Sequence, residues 1–162
     1  MATLRNTGAY QTLVYDFTNE VYVVCPNCEK KAIVKAVKLY DENVKLICPN
    51  CGYNKMPDKN FIGLYNSKKT KIQISGVVVI SAGIDPYFYL PLWLKTTIGE
   101  NTLWAYNYEH LNFIKDFVRA KLRERNIDDI RNKSLGSRLP KWLTSHKNRE
   151  LVLKAIDRLK AK

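Results

Sequence analysis

Cys25-Pro26-Asn27-Cys28 and Cys48-Pro49-Asn50-Cys51 are the same tetrapeptide, separated by 19 residues, and together they use all four cysteines of the chain. Two thiolates spaced this way sit on one side of a tight loop, so two such loops supply four sulfurs to one tetrahedral ion. Each loop carries a proline that restricts its backbone, and Gly52 follows the second pair where such a turn often takes a positive φ. Glu29 holds the matching place after the first pair, which predicts that the first knuckle closes with a different geometry. Between the pairs, Lys31 to Tyr40 is rich in β-branched and apolar residues, Asp41-Glu42-Asn43 reads as a turn, and Val44 to Ile47 returns as a strand. A hairpin that brings its ends together is what two knuckles require. Zinc is the expected occupant; two disulfides compete with it, as do iron–sulfur and redox uses of the same pairs.

The paired Cys-Pro-x-Cys signature resembles the zinc ribbons of the transcription factor IIB type over residues 20–55. That resemblance implies one structural zinc held by Cys25, Cys28, Cys48 and Cys51. It does not imply a role in transcription, because ribbons occur in nucleic-acid-binding proteins, enzymes and adaptors alike. Pro91-Leu92-Trp93-Leu94 through Leu103-Trp104-Ala105-Tyr106-Asn107, and Ser137-Arg138-Leu139-Pro140-Lys141-Trp142, are similar to a group of uncharacterised bacterial zinc-ribbon proteins. This wider likeness implies an architecture and a bacterial setting but no activity. A closed four-sulfur site has no open coordination position and cannot activate water. Four thiolates around a divalent ion also add a net charge of about −2, so the ribbon alone is a poor anchor for phosphate.

Working outward, Leu13, Tyr15 and Phe17 alternate with Val14, Asp16 and Thr18, which is the period of a strand, and Val21 to Val24 leads into the first knuckle. Pro57 to Asn60 marks a turn, and Asn66-Ser67-Lys68-Lys69 a polar boundary. Lys71 to Ile80, Tyr87 to Thr96 and Thr102 to Tyr106 read as strands of a small antiparallel sheet, the last two joined by Gly99-Glu100-Asn101. From Tyr108 to Arg125 the pattern becomes helical: Leu111, Ile114, Phe117, Val118 and Leu122 recur every three or four residues, with Asn107 as N-cap. A polar break spans Asn126 to Gly136, and Pro140 favours a short helical turn from Lys141 that turns Trp142 and Leu143 inward. A last helix runs from near Ser145 to the C-terminus, with Leu151, Val152, Ala155, Ile156 and Leu159 on one stripe. The expected fold class is α+β: a zinc ribbon joined to a small antiparallel sheet with C-terminal helices. Residues 1–66 form the N-terminal strands and ribbon, and 67–162 the sheet and basic helices.

Lysine and arginine number 27 against 15 acids in 162 residues, a net charge of +12. Residues 107–162 alone hold 15 bases and 7 acids. Such an imbalance favours polyanionic partners, although it equally suits a solvated surface. Lys115, Arg119 and Arg123 fall at i, i+4 and i+8 of the predicted helix, with no acid four residues from any of them. Like charges so placed oppose each other by about 0.2–0.5 kcal/mol per pair. Either a nucleic-acid backbone or acids from elsewhere in the fold would relieve them. Lys147, Lys154 and Arg158 repeat the arrangement on the last helix, and Arg138, Lys141 and Arg149 lie near Trp142 and His146. Bases beside an aromatic suit a phosphate contact with stacking.

Catalysis finds no foothold. The chain holds two histidines, His110 and His146, no Gly-rich phosphate loop, no H-E-x-x-H and no cysteine outside the knuckles. Asp128-Asp129 reads as a turn or cap. No stretch approaches the length of a membrane span and no secretory leader precedes the first strands, so a cytoplasmic protein is expected. The leading expectation is a non-catalytic nucleic-acid-binding protein, of DNA or RNA, with a structural metal. The alternative is a protein–protein adaptor using the ribbon and the aromatic hairpin. No small-molecule substrate is expected.

Overall fold

The computed structural model describes residues 5–6, 9–37, 43–57, 83–120, 122–123 and 134–162. In chain order the elements are β1 (Arg5–Asn6), β2 (Glu20–Val24), β3 (Lys31–Lys35), β4 (Lys45–Ile47), β5 (Asn54–Lys55), β6 (Leu94–Ile98), β7 (Asn101–Ala105), α1 (Tyr108–Arg119), β8 (Leu122–Arg123), α2 (Leu135–Arg138), α3 (Lys141–Thr144) and α4 (Arg149–Lys160). The class is α+β, as expected. Two compact units divide the chain: Thr18–Trp93, and Met1–Phe17 together with Leu94–Lys162. The expected strand Lys71 to Ile80, the boundary at Asn66 to Lys69 and most of the break from Asn126 lie outside the described residues.

The first unit, hereafter the ribbon, holds both cysteine pairs and the four-stranded sheet between and around them. Its four strands pair antiparallel in the order β2-β3-β4-β5. Alternation decides its two faces: Val21, Val23, Ala32, Val34 and Leu46 are fully buried, while their neighbours along each strand point outward. Pro91 to Trp93 adds to the free edge of β2, where Val24 N–H donates to the Pro91 carbonyl at 2.9 Å and Trp93 N–H to the Tyr22 carbonyl at 2.9 Å. The expected strand Tyr87 to Thr96 is therefore divided: its first residues form a turn, Pro91 and Leu92 make isolated bridges, and β6 begins at Leu94. Asp85, fully buried, accepts from the N–H groups of Tyr87 (3.0 Å), Phe88 (2.8 Å) and Leu90 (2.5 Å), and Tyr89 turns through a φ of 57°. Burial raises the Asp85 carboxyl above the usual carboxylate range, and the three N–H bonds oppose that rise. A carboxylate that satisfies three local donors closes a turn where periodicity alone reads a strand.

The second unit is built on the hairpin of β6 and β7. Gly99 provides the positive φ of 59° at its two-residue turn. Asn107 caps α1 by accepting from His110 N–H at 2.9 Å, and its amide donates to the Phe17 carbonyl at 3.1 Å. Leu111, Ile114, Phe117 and Val118 are buried as their spacing predicts, and His110 joins them. The Leu13 to Phe17 segment is not a strand. Asp16 accepts from Leu13 N–H at 2.8 Å and donates its own N–H back to the Leu13 carbonyl at 3.1 Å, winding Val14–Phe17 into a 3-10 turn. The aspartate outcompetes the alternating pattern. Gly136 donates its N–H to the Ala9 carbonyl at 3.0 Å, an approach so close that a Cβ would lie 2.6 Å from that oxygen. On α4, Val152, Ala155, Ile156 and Leu159 are buried, but Leu151 is 55% exposed and leaves the expected stripe.

Candidate functional site

The two knuckles have one geometry. Cys25 N–H donates to the Lys30 carbonyl at 2.8 Å and Glu29 N–H to the Cys25 carbonyl at 3.0 Å. Cys48 N–H donates to the Tyr53 carbonyl at 2.8 Å and Gly52 N–H to the Cys48 carbonyl at 3.0 Å. Gly52 has a φ of 73°, and Glu29 has a φ of 59°. The expectation that Glu29 forces a different closure is therefore corrected: the glutamate enters the left-handed region that a glycine would occupy freely. The physical reason is the ring of two hydrogen bonds around each pair, which brings both thiols to one side whatever residue closes the loop.

Strands β2 to β4 bring the knuckles face to face. The four Sγ atoms lie within 4.8 Å of one another, with Cys25 to Cys51 at 3.7 Å and Cys28 to Cys48 at 3.5 Å. None of the four is joined to another, and the spacings are far longer than the S–S bond of about 2 Å. Cys25 and Cys48 are buried and Cys51 is exposed. Asn27 N–H donates to Cys25 Sγ at 3.4 Å, and the Asn50 amide ties the second knuckle to the Lys31 carbonyl at 3.2 Å. The Asn27 side chain, helped by the Tyr53 backbone, lowers the Cys51 thiol to about 6. At Cys28 the Lys30 backbone pulls the thiol down, but burial and the other three sulfurs outweigh it and push it up to about 12. At Cys48 burial opposes ionisation, yet the N–H groups of Cys51 and Asn50 bring its thiol below the ordinary value. Four sulfurs this close cannot all carry charge alone; a cation among them would let every thiol ionise. The arrangement is a candidate metal site with four protein ligands.

The predicted basic residues separate into two groups. The row on α1 does not exist as expected, because the helix stops at Arg119 and Arg123 lies on β8, which pairs parallel with β1. Lys115 is already engaged: its Nζ donates to Asp157 Oδ1 on α4 at 2.5 Å, and this bond holds the Asp157 carboxyl below the usual range. The acid that relieves the charge thus comes from 42 residues further along the chain. Arg119, Arg138, Lys141 and Arg158 are exposed on α1, α2, α3 and α4. Lys147, Arg149 and Lys154 share one surface depression. With His146, Glu150 and Leu151 they line an open cleft of about 480 Å³ at the start of α4.

The aromatic residues divide similarly. Trp142 is half-buried, and its carbonyl accepts from the Asn148 amide at 2.8 Å. Trp104 packs edge-on against His110 at 5.6 Å and beside Tyr106 at 5.1 Å, so the hairpin aromatics serve their own unit's core. His110, stacked on Phe17 at 4.8 Å, accepts from Tyr106 N–H at 3.3 Å, and burial lowers its imidazole to about 4. It is a neutral core residue. Sequence reasoning does not foresee that burial; its only signal is the i+3 position after the capping Asn107. No helix among the described residues is long and apolar enough to cross a membrane. The chain matches no family model, no curated protein and no solved structure.

Proposed function

We propose that this is a non-catalytic zinc-ribbon protein that binds nucleic acid, DNA or RNA, through the basic cleft at the start of α4. The observation that carries the reading is the convergence of Lys147, Arg149 and Lys154 on one open cleft, with His146 beside them. Three exposed or half-exposed cations within eight residues suit contacts to a phosphate backbone, and Glu150 offsets only part of that charge. The metal we assign is zinc. A tetrahedral Zn–S₄ shell with bonds near 2.3 Å places its sulfurs about 3.8 Å apart. The spacings of 3.5 and 3.7 Å accord with that shell. Cys25, Cys28, Cys48 and Cys51 would hold the ion, whose part is to fasten the knuckles. No step of chemistry passes through it.

Binding of a fluorescent oligonucleotide, measured across a salt series, tests the reading. Changing Lys147, Arg149 and Lys154 together to Gln should weaken binding and reduce the log K against log salt slope by about 2–3. Lys115→Gln should leave that slope unchanged, because Lys115 already serves Asp157. Absence of affinity at low salt, or equal loss in the two variants, would overturn the cleft as the reader. The metal is checked separately: freshly purified, reduced protein should contain one zinc per chain, and Cys48→Ser should unfold the ribbon.

A further inference from the structure

The outward face of the ribbon sheet carries a cross-strand row that the metal and the cleft do not use. Tyr22 lies opposite Ile33, Ile33 opposite Ile47, and Ile47 opposite Asn54. Ile47 is 39% exposed, and Met56, just past β5, is 53% exposed. Val37, two residues beyond β3, is 82% exposed. Of the five exposed large hydrophobics among the described residues, Ile47 lies on this sheet, and Val37 and Met56 lie just past the ends of its strands. Lysines border the row: Lys31 on one side, Lys35 and Lys45 on the other, with Glu20 as the acid facing Lys35 at 3.7 Å.

We propose that this face docks an acidic protein segment bearing apolar side chains at alternate positions. Charge complementarity selects the sign of the partner, since three lysines flank the row against one glutamate. The apolar residues select its kind. An extended segment turns alternate side chains to one side, so one apolar side chain can meet the Ile33–Ile47 pair while its neighbouring carboxylates meet the flanking lysines. A phosphate backbone would engage the lysines but leave the aliphatic atoms of Ile47 and Met56 unused. The half-buried Tyr22 ring has the Lys31 ammonium 5.1 Å from its centre. The inference is independent of the nucleic-acid reading, which concerns the other unit.

Selection of random dodecapeptides displayed on phage, against the whole reduced protein, supplies the probe. Enriched sequences should be acidic with apolar residues at alternate positions. A fluorescein-labelled synthetic copy of one should bind at least about tenfold more weakly to the double variant Ile47→Ser with Met56→Ser, and likewise to Lys35→Gln with Lys45→Gln. Ile47 precedes Cys48, so metal content and circular dichroism are measured for each variant, and wild-type values are expected in both. The Lys147, Arg149 and Lys154 variant should bind the peptide normally. Failure to enrich any sequence, enrichment of neutral or basic peptides, or unchanged binding by both double variants would overturn the proposal. An oligo(dT) strand that binds wild-type protein and is lost with Ile47→Ser and Met56→Ser would overturn it in favour of nucleic acid on this face.

Discussion

Acidification from pH 7 to pH 4 should remove about 3 kcal/mol from the stability of the unit that contains His110, and His110 should account for the loss. The magnitude follows from burial. The imidazole is 2% exposed, stacked on Phe17, and held at about 4 against an ordinary value of 6.5. Between those two values the unfolded chain binds a proton that the folded chain refuses. Stability is therefore complete above pH 6.5, declines as pH falls, and reaches its lower level near pH 4. One proton over that window amounts to about 3 kcal/mol. Asp157, whose carboxyl Lys115 holds below 3.8, loses its contribution only at lower pH, so it does not confuse the window. The assay is urea unfolding at a series of pH values, followed through the backbone amide resonances of residues 103–118. The same series on chelator-treated protein separates this loss from the acid release of metal from the ribbon. His110→Phe preserves an aromatic stack but removes both the titrating group and the acceptor for Tyr106 N–H. It should cost about 1–3 kcal/mol at pH 7 and flatten the slope between pH 6.5 and 4. Equal slopes in the two proteins, or a folded-state titration of His110 near 6.5, would refute the reasoning.

Two further expectations test backbone geometry. Glu29→Gly should stabilise the ribbon by about 0.5–1 kcal/mol, since it removes left-handed strain at φ 59°. Gly52→Ala should destabilise it by about 1 kcal/mol through the backbone alone, because a Cβ there meets nothing within 4 Å. Thermal melting at fixed zinc concentration reads both, and a destabilised Glu29→Gly protein would contradict the equivalence of the knuckles. In the other unit, Gly136→Ala places a Cβ 2.6 Å from the Ala9 carbonyl oxygen and should cost about 1–3 kcal/mol in urea unfolding. A neutral result there would mean that the Ala9 loop yields easily.

The sequence by itself determined the features whose causes are local. The meeting of four cysteines follows from two identical pairs and the hairpin between them, because short loops orient their own thiols. The α+β class and the buried face of α1 follow from periodicity, and the Asn107 cap from one side chain reaching three residues on. Where a local polar group competes with a pattern, periodicity misleads: Asp16 winds a predicted strand into a turn, and Asp85 breaks another with three N–H bonds. Tertiary structure alone decided the rest. Helix α1 ends at Arg119, and Leu122–Arg123 pairs instead with Arg5–Asn6, from the far end of the chain. Lys115 finds its acid on another helix, so it leaves the row of cations that spacing suggested. Charge has no period and acts through space, so which base faces an acid and which faces an open cleft is settled only when distant segments come together.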